Sequence, residues 1–330
     1  MKKKALKRML MLSMMVVVIA VLAVGCGSKN NTNTASTEGN AAETSKEAVT
    51  LSLGLLPSID AIPFVIAHEQ GFDKKHGVNL DIQTFKSAKD RDVAFQAGKL
   101  EGISADLVAI SIYNEAGLDV KITSTTFGEF DLLTGNDAIQ EVKDLKGKTV
   151  ILSKNTSTQY TVAMMLKQAG LTEDDITVTE VPQIPTRLEL LKNNKADAAI
   201  LPEPFVTMGK ASGLRVLSST HTAGVNPFVL AFPQTAIDAK ADAIRNMYAA
   251  YDEAVAYMKS HDQSEYIDLV IKEVGYPETL KDEIKVPDYV PANQVDVKEV
   301  EAAFAWAREK GLLSKNISAE DVISDVQFKK

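Results

Sequence analysis

The sequence predicts an α/β protein of two lobes, each a mainly parallel sheet flanked by helices. From about residue 49 to residue 232, short apolar stretches alternate with longer stretches of helical period. This alternation is typical of parallel sheets with helices on both faces. About 280 residues follow a polar N-terminal tract, which is long for a single core and suits two. We assign residues 49–127 and 225–330 to lobe 1 and residues 128–224 to lobe 2.

The N-terminus is typical of a lipoprotein signal peptide over residues 1–25. Its first eight residues include five basic and no acidic side chains, and residues 9–24 are almost wholly apolar, which is the order used by secretion signals. The apolar run is short for the roughly 20 residues that a membrane span needs. The sequence LAVGC at residues 22–26 resembles a bacterial lipobox. The resemblance implies cleavage before Cys26 and attachment of lipid, diacylglycerol and palmitate-like chains, to its thiol.

Cys26 is the only cysteine of the chain. Lipidation accounts for a lone thiol in a secreted protein, and a single cysteine excludes an internal disulfide and a cysteine-ligated metal cluster. The rest of residues 26–48 is polar and lacks apolar periodicity, which predicts a flexible tether. The formal net charge of −8, without a basic stripe, argues against a nucleic-acid partner. We expect a monomer without cofactor or metal.

In lobe 1, each predicted helix lies between a capping residue and a glycine. Asp60, Ser87 and Asp106 stand at helix starts, where side-chain oxygens accept bonds from free backbone N–H groups, and glycines follow the helix ends. The predicted strands cover residues 51–55, 78–85, 102–104 and 120–124, and the helices cover residues 61–70, 87–97 and 106–117.

Lobe 2 repeats this order. Strands are predicted at residues 148–153, 176–181 and 196–201, and helices at residues 155–169 and 186–193. A strand at residues 229–232 then returns to lobe 1. From residue 238 onward the chain is predicted to form helices around the outside, most clearly at residues 242–258 and 297–310.

Several segments together carry a family resemblance. They are LGLLPSIDAIPFVIAHEQGF, GVNLDIQTFKSAKDRDVAFQAGKLEG, SADLVAI, VKDLKGKTVILSKNTSTQY and RLELLKNNKADAAILPEPF. They resemble the nitrate, sulfonate, taurine and thiamine-precursor (NMT1-like) group of ABC-transporter substrate-binding lipoproteins, over nearly all of the chain after the tether. The resemblance implies a type II periplasmic-binding-protein fold, with a hinge of two crossings near residues 123–130 and 219–228. It also implies a small-molecule ligand outside the cell, and an ABC permease with its ATPase as partners.

The ligand site is expected beyond the carboxyl ends of the strands, against helix N-termini. The turns at these places predict the ligand-binding residues Ser58, Asp60, Ser87, Asp106, Asn155, Thr156, Ser157, Thr158, Gln183, Glu203 and Phe205. Asp60, Ser87 and Asp106 have a second explanation, because capping alone stabilises a helix by roughly 1 kcal/mol.

The predicted site bears on ligand charge. The carboxylates of Asp60, Asp106 and Glu203 would repel an anion in a partly dry cleft. They favour a neutral or amine-bearing molecule, such as a thiamine pyrimidine precursor or a related heteroaromatic compound. An inward-pointing Arg187 would instead favour an anion, so that an alkane sulfonate, taurine or nitrate remains the alternative.

Two other classes of function compete with solute binding. Eukaryotic pyrimidine synthases resemble this group but rely on a clustered-cysteine motif, which this chain lacks. The chain has no nucleophile elbow, and its four histidines do not have metalloprotease spacing. An enzyme is therefore disfavoured. A sensory lipoprotein of the same fold stays open, because fold does not determine function.

Overall fold

The computed structural model describes residues 48–329. Ten strands lie in this part of the chain, arranged in two five-stranded sheets. In chain order the strands are β1 Val49–Leu55, β2 Val78–Thr84, β3 Gly102–Asp106, β4 Val120–Thr125, β5 Phe130–Thr134, β6 Thr149–Leu152, β7 Thr177–Glu180, β8 Ala198–Pro202, β9 Arg215–Ser219 and β10 Phe228–Pro233.

The two sheets have the same internal plan. Sheet 1 has the order β2-β1-β3-β10-β4 and sheet 2 the order β7-β6-β8-β5-β9. In each, the first three strands pair in parallel and the fourth is antiparallel to both neighbours. That reversed strand, β10 in sheet 1 and β5 in sheet 2, directly follows a crossing from the other sheet. We refer to each sheet with its packed helices as a lobe.

The helices are placed largely where the capping pattern predicts them. Ser87, Asp106 and Thr156 accept backbone N–H bonds at the starts of their helices, which satisfies donors that lack partners in the first turn. The α-helices are α1 Ile62–Glu69, α2 Phe72–Lys75, α3 Ala88–Gln96, α4 Leu107–Glu115, α5 Ser157–Gln168, α6 Ile184–Lys192, α7 Phe205–Ala211, α8 Gln234–Ser260, α9 Ile267–Val270, α10 Val297–Glu309 and α11 Ala319–Val322.

Hydrophobic clusters cover both faces of each sheet. One side chain of lobe 2 belongs to a lobe 1 cluster. Tyr160 of α5 packs against Trp306 of α10, with ring centroids 5.6 Å apart in an edge arrangement. Beside this pair, Lys310, directly after α10, forms an ion pair with Glu173 of lobe 2. The lobes are therefore in apolar and polar contact behind the cleft.

The chain passes between the sheets twice, through residues 126–129 and residues 220–227. Strands β5 and β9 and helix α7 lie in segments for which the sequence predicted no regular element. β5 is only five residues long, and β9 is largely half-exposed or exposed. β5 and β9 pair with each other although about 80 residues separate them in the chain, and local hydrophobic periodicity does not predict such a pairing.

Candidate functional site

A cavity lies between the two sheets, at the carboxyl ends of their parallel strands. The empty space between its walls and in its open mouth is about 680 Å³. Its wall is built by strand-to-helix turns of both lobes and by the first crossing. The lining residues are Leu56, Ser58, Asp60, Ala88, Arg91, Ser104, Ala105, Asp106, Gly128, Glu129, Phe130, Ser153, Thr156, Ser157, Thr158, Pro182, Ile184, Arg187, Pro202 and Phe228.

Lobe 1 presents two buried carboxyl groups to this cavity. Asp60 is 7% exposed and accepts a hydrogen bond from the Ser58 hydroxyl. Asp106 is 6% exposed and accepts from the backbone N–H of Ala109 at 2.9 Å, as the cap of α4. Burial raises the pKa of both carboxyl groups, although these bonds and the charge of Arg91 act in the opposite direction. An N–H donor or ammonium group from a ligand would stabilise their charged forms.

Lobe 2 presents hydroxyl groups from the turn between β6 and α5. Thr156 caps α5, and its Oγ1 lies 2.8 Å from Oγ1 of Thr158. Both hydroxyls also donate to the carbonyl oxygen of Ser153, at 2.8 and 3.1 Å. Burial raises the pKa of Asp106, and the nearby Ser157 hydroxyl offsets a small part of that rise. The turn therefore supplies neutral hydrogen-bonding groups opposite the lobe 1 acids.

Asn155 holds this turn without lining the cavity. Its φ of 58° is in the left-handed region, where asparagine is better tolerated than most residues. The backbone N–H of Asn155 donates to Oε1 of Gln159 at 2.7 Å, and Gln159 in turn donates to Glu173 at 2.7 Å. Glu173 also pairs with Lys310 of lobe 1, so the turn is connected to the other lobe.

Arg187 lines the cavity from lobe 2 and is 3% exposed. Its guanidinium donates to the carbonyl oxygens of Val181 at 2.7 Å, Ile200 at 3.3 Å and Pro182 at 3.2 Å. Within residues 48–329 it forms no ion pair with a carboxylate. Burial alone lowers the pKa of Arg187 to about 10, which leaves it charged at neutral pH. The inward-pointing arginine that the sequence analysis allowed for is thus present.

Besides Asn155, four further predicted site residues lie outside the cavity lining and make other contacts. Glu203 accepts from the backbone N–H and hydroxyl of Thr207, at 3.0 and 2.9 Å, and so caps α7. Phe205 packs in a lobe 2 hydrophobic cluster. Gln183 donates to Asp90 Oδ2 at 3.2 Å and reaches the Ser87 hydroxyl at 3.5 Å. Gln183 and Ser87 thus meet each other across the mouth of the cleft.

The site includes residues that the sequence analysis missed. Glu129 comes from the first crossing, Phe130 and Phe228 are the first residues of β5 and β10, and Arg91 and Ser104 come from α3 and β3. The rings of Phe130 and Phe228 lie 4.7 Å apart and form an apolar wall. A signal was available, because a phenylalanine begins each reversed strand, but β5 was not recognised as a strand.

Two sequence predictions bear on regions beyond the site. Cys26, the signal peptide and most of the tether lie outside the described residues. Over residues 48–329, no helix has the length and apolar character to cross a bilayer. Over the same residues, no cluster of histidine, cysteine, aspartate or glutamate side chains is arranged to hold a metal ion.

The profile of the NMT1/THI5-like family matches residues 58–265. The chain belongs to this family. The family resemblance inferred from the sequence is therefore confirmed, and the matched region contains strands β2–β10 and all of the cavity lining except Leu56.

Two curated relatives bear on what the family does. A protein of Brachyspira hyodysenteriae, named as an ABC transporter periplasmic binding protein, is 23% identical over 58% of this chain and 60% of its own length. The chain thus spans about three-fifths of that relative. A Bacillus subtilis protein, named as an aliphatic sulfonates-binding protein, is 23% identical over 86% of this chain and 89% of its own length.

Solved structures share the fold. The alkanesulfonate-binding protein of Xanthomonas axonopodis pv. citri, bound to MOPS, has a TM-score of 0.72 at 16% identity and covers 84% of this chain and 99% of its own. A desulfurization enzyme has a TM-score of 0.63 at 14% identity, with 84% and 96% covered. The predicted two-lobe periplasmic-binding-protein fold is confirmed, and at these identities the likeness concerns fold alone.

Proposed function

We propose that this chain is the extracytoplasmic solute-binding protein of an ABC importer and captures a small molecule between its lobes. The observation that carries the proposal is the cavity itself. It is lined by polar turns of two sheets that are joined by only two crossings, so that both lobes touch whatever occupies it. Membership of the NMT1/THI5-like family and the names of its relatives support the same role.

Hinge closure is the proposed mechanism. Gln183 of lobe 2 bonds to Asp90 of lobe 1 at 3.2 Å across the mouth of the cleft. This contact breaks if the lobes separate, whereas the Tyr160–Trp306 contact lies behind the cleft. A ligand that touches both lobes binds the closed form better than the open form and shifts the population toward it. The permease would then recognise the closed form.

For the ligand, the acids of lobe 1 support an amino-heterocycle such as a thiamine pyrimidine precursor. Arg187 supports the alternative, an anion such as an alkane sulfonate, taurine or nitrate. The Bacillus subtilis relative that is named for aliphatic sulfonates also favours the anion. The acids of lobe 1 and Arg187 line the same cavity, so both bear on which ligand it binds.

A thermal-shift screen of the full chain in mild detergent tests the proposal. The panel contains aminopyrimidines, flavins, taurine, alkane sulfonates, nitrate and amino acids. A true ligand at 100 times its dissociation constant stabilises the folded form by roughly 2.7 kcal/mol, which is visible as a rise in melting temperature. Small-angle scattering should show compaction with the same compound. Binding without compaction would contradict hinge closure, and a chain that no small molecule stabilises would contradict the binding role.

We further propose that the chain is held to the membrane by lipid on Cys26. The Cys26→Ser variant should be released from the membrane fraction and should bind the same ligand as the wild type, because the cavity lies in residues 48–329. Membrane association as strong as that of the wild type would overturn the lipid anchor. Loss of uptake on deletion of the gene, with the neighbouring permease intact, would favour transport over a sensory role.

A further inference from the structure

We propose that the natural ligand is dipolar. It carries an N–H donor or ammonium group that faces lobe 1, an oxyanion that faces Arg187 of lobe 2, and an apolar body between them. This inference rests on the proposed binding function and specifies its substrate class. The basis is a comparison of two buried arginines that occupy corresponding places in the two lobes.

Arg91 and Arg187 correspond closely in the fold. Each is the fourth residue of the helix that follows the outer parallel strand of its sheet, α3 after β2 and α6 after β7. Nη1 of Arg91 donates to the carbonyl of Ser104, the third residue of β3, and Nη1 of Arg187 donates to that of Ile200, the third residue of β8. Both line the cavity and are at most 3% exposed.

The two arginines differ in charge compensation. Nε and Nη2 of Arg91 donate to Asp92 at 2.9 and 2.7 Å. The residue that follows Arg187 is Leu188, a core side chain, and Nε and Nη2 of Arg187 donate to backbone carbonyls instead. A guanidinium has five N–H groups, and three of those of Arg187 are used within the described part of the chain. The remaining two and an uncompensated positive charge suit an oxyanion.

The carboxyl groups of the cavity are distributed the other way. Asp106 is the last residue of β3, and the last residue of β8 is Pro202. Asp60 lies in the turn after β1, whereas the side chains that line the cavity from the turn after β6 carry hydroxyl groups, from Ser153, Thr156, Ser157 and Thr158. Among residues 48–329, lobe 1 therefore faces the ligand with the acids Asp60 and Asp106, lobe 2 faces it with the guanidinium of Arg187 and neutral hydroxyl groups, and the first crossing adds the carboxyl of Glu129 to the lining.

A ligand with only one of the two charged groups leaves the opposite wall without a partner. An oxyanion alone meets Arg187 but brings a negative charge toward Asp60 and Asp106. An amine alone meets the acids but leaves the buried guanidinium of Arg187 uncompensated, which is costly in a desolvated site. Between the two walls, Phe130 and Phe228 offer apolar contact to a ring or a short chain.

Calorimetric titration of the full chain in detergent with two matched probe series tests the inference. One series is taurine, ethanesulfonate and ethylamine, and the other is 4-(aminomethyl)benzoate, benzoate and benzylamine. In at least one series, the probe with both groups should bind about tenfold or more tightly than either probe with one group. If neither series binds, native mass spectrometry of the chain after incubation with an extract of the producing cells identifies the bound compound, which should carry both groups.

Substitutions in the two walls show which wall binds which end of the ligand. Arg187→Gln should weaken the dipolar probe about tenfold or more and leave the amine-only probe unaffected, because it removes only the oxyanion partner. Asp60→Asn should weaken binding of the dipolar probe through its amine end. The probe that carries only the sulfonate or carboxylate should bind to this variant as before or better. Arg245→Gln changes a partly exposed arginine of α8 that pairs with Asp242 and lies outside the cavity lining. It is the matched control and should leave the binding of every probe unchanged. Circular dichroism melting verifies folding, and Asp60→Asn keeps the test decisive if Arg187→Gln fails to fold.

The outcomes separate this inference from the function on which it rests. If a probe or extract compound with only one of the two groups binds as tightly as a dipolar one, the binding function stands and the dipolar ligand is overturned. Loss of amine-only binding in Arg187→Gln would also overturn it. If no small molecule binds the chain, the binding function fails, and the inference fails with it.

Discussion

The two lobes share one strand order but differ at a few corresponding positions that control charge. In each sheet the reversed strand begins with a phenylalanine that pairs with the last residue of the central strand, Phe228 with Asp106 and Phe130 with Pro202. The same scaffold thus places an acid on one side and a proline on the other. Single residues thus give the two walls of the cleft different charges, while both walls keep the same strand order.

A second pair of positions extends this comparison into the sheets. The residue after the phenylalanine is Val229 in β10, fully buried, and Asp131 in β5. Oδ1 of Asp131 is buried without a hydrogen-bond partner in the described part of the chain. Burial, with the nearby charges of Glu129 and Glu203, raises the pKa of Asp131 to about 7. At this position lobe 2 therefore has a carboxyl group whose charged form is destabilised, whereas lobe 1 has an apolar side chain.

The largest effect is expected from the two arginines. Arg91→Met leaves Asp92, which is 25% exposed, without its partner, and should destabilise the fold by about 3 kcal/mol. Arg187→Met leaves three carbonyls without a donor but also removes an uncompensated charge, so it should cost only about 1–2 kcal/mol. Urea unfolding at pH 7, followed by circular dichroism, measures both. An equal or larger loss in Arg187→Met would break the distinction between a paired and an unpaired arginine.

The Asp131→Asn substitution tests the difference between Asp131 and Val229 through the pH dependence of folding stability. Below the unfolded-state pKa near 4 both states are protonated, and Asp131 has no effect on stability. As pH rises toward 7, the unfolded chain releases the proton first, so stability is lost across this window and stays lost above it. The variant should therefore gain on the order of 2 kcal/mol relative to the wild type at pH 8 and little at pH 4.

Urea unfolding at both pH values measures this difference. Asp137→Asn, on the exposed surface of the same lobe, is the control and should show no such pH dependence. A gain in Asp131→Asn that is the same at pH 4 and pH 8 would mean that the carboxyl is not strained in the folded protein.

The smallest effect on stability is expected from Gln183→Ala. Its bonds to Ser87 and Asp90 join the lobes and contribute little to either core, so the free energy of unfolding should fall by about 0.5 kcal/mol or less. Small-angle scattering should nevertheless show a larger radius of gyration. Gln140→Ala, whose side chain bonds only within lobe 2, should leave the radius unchanged. Equal radii for the two variants would argue against a contact that holds the cleft closed.

Most of the fold could be predicted from the sequence because its signals are local. Ser87 and Asp106 were predicted as caps from the sequence, and each does accept a backbone N–H at a helix start, whereas Asp60, predicted in the same way, lies within the short 3-10 helix Ile59–Ala61 and does not cap α1. Strands β5 and β9 were missed, since β5 carries Asp131 between apolar residues and β9 is largely half-exposed or exposed. Their pairing comes from the sheet, and no local pattern of hydrophobicity reports it.

The candidate site was predicted less completely. The turn at Thr156 to Thr158 and the acids Asp60 and Asp106 do line the cavity. Gln183 and Glu203 stand in turns of the same kind, but one reaches across to Asp90 and the other caps α7. Which way such a side chain points depends on one or two backbone torsion angles in the turn, and a sequence pattern does not specify them.

The sequence by itself determined the class of the molecule, its alternating elements, its helix caps and the presence of acids near the cleft. These depend on residue types at short spacing, where period and capping chemistry act within a few residues. Only the tertiary structure decided that, among residues 48–329, Arg187 faces the cavity without a carboxylate partner while Arg91 has one. That outcome depends on how α6 and β8 pack in one lobe and α3 and β3 in the other, and on a wall formed by segments about 100 residues apart.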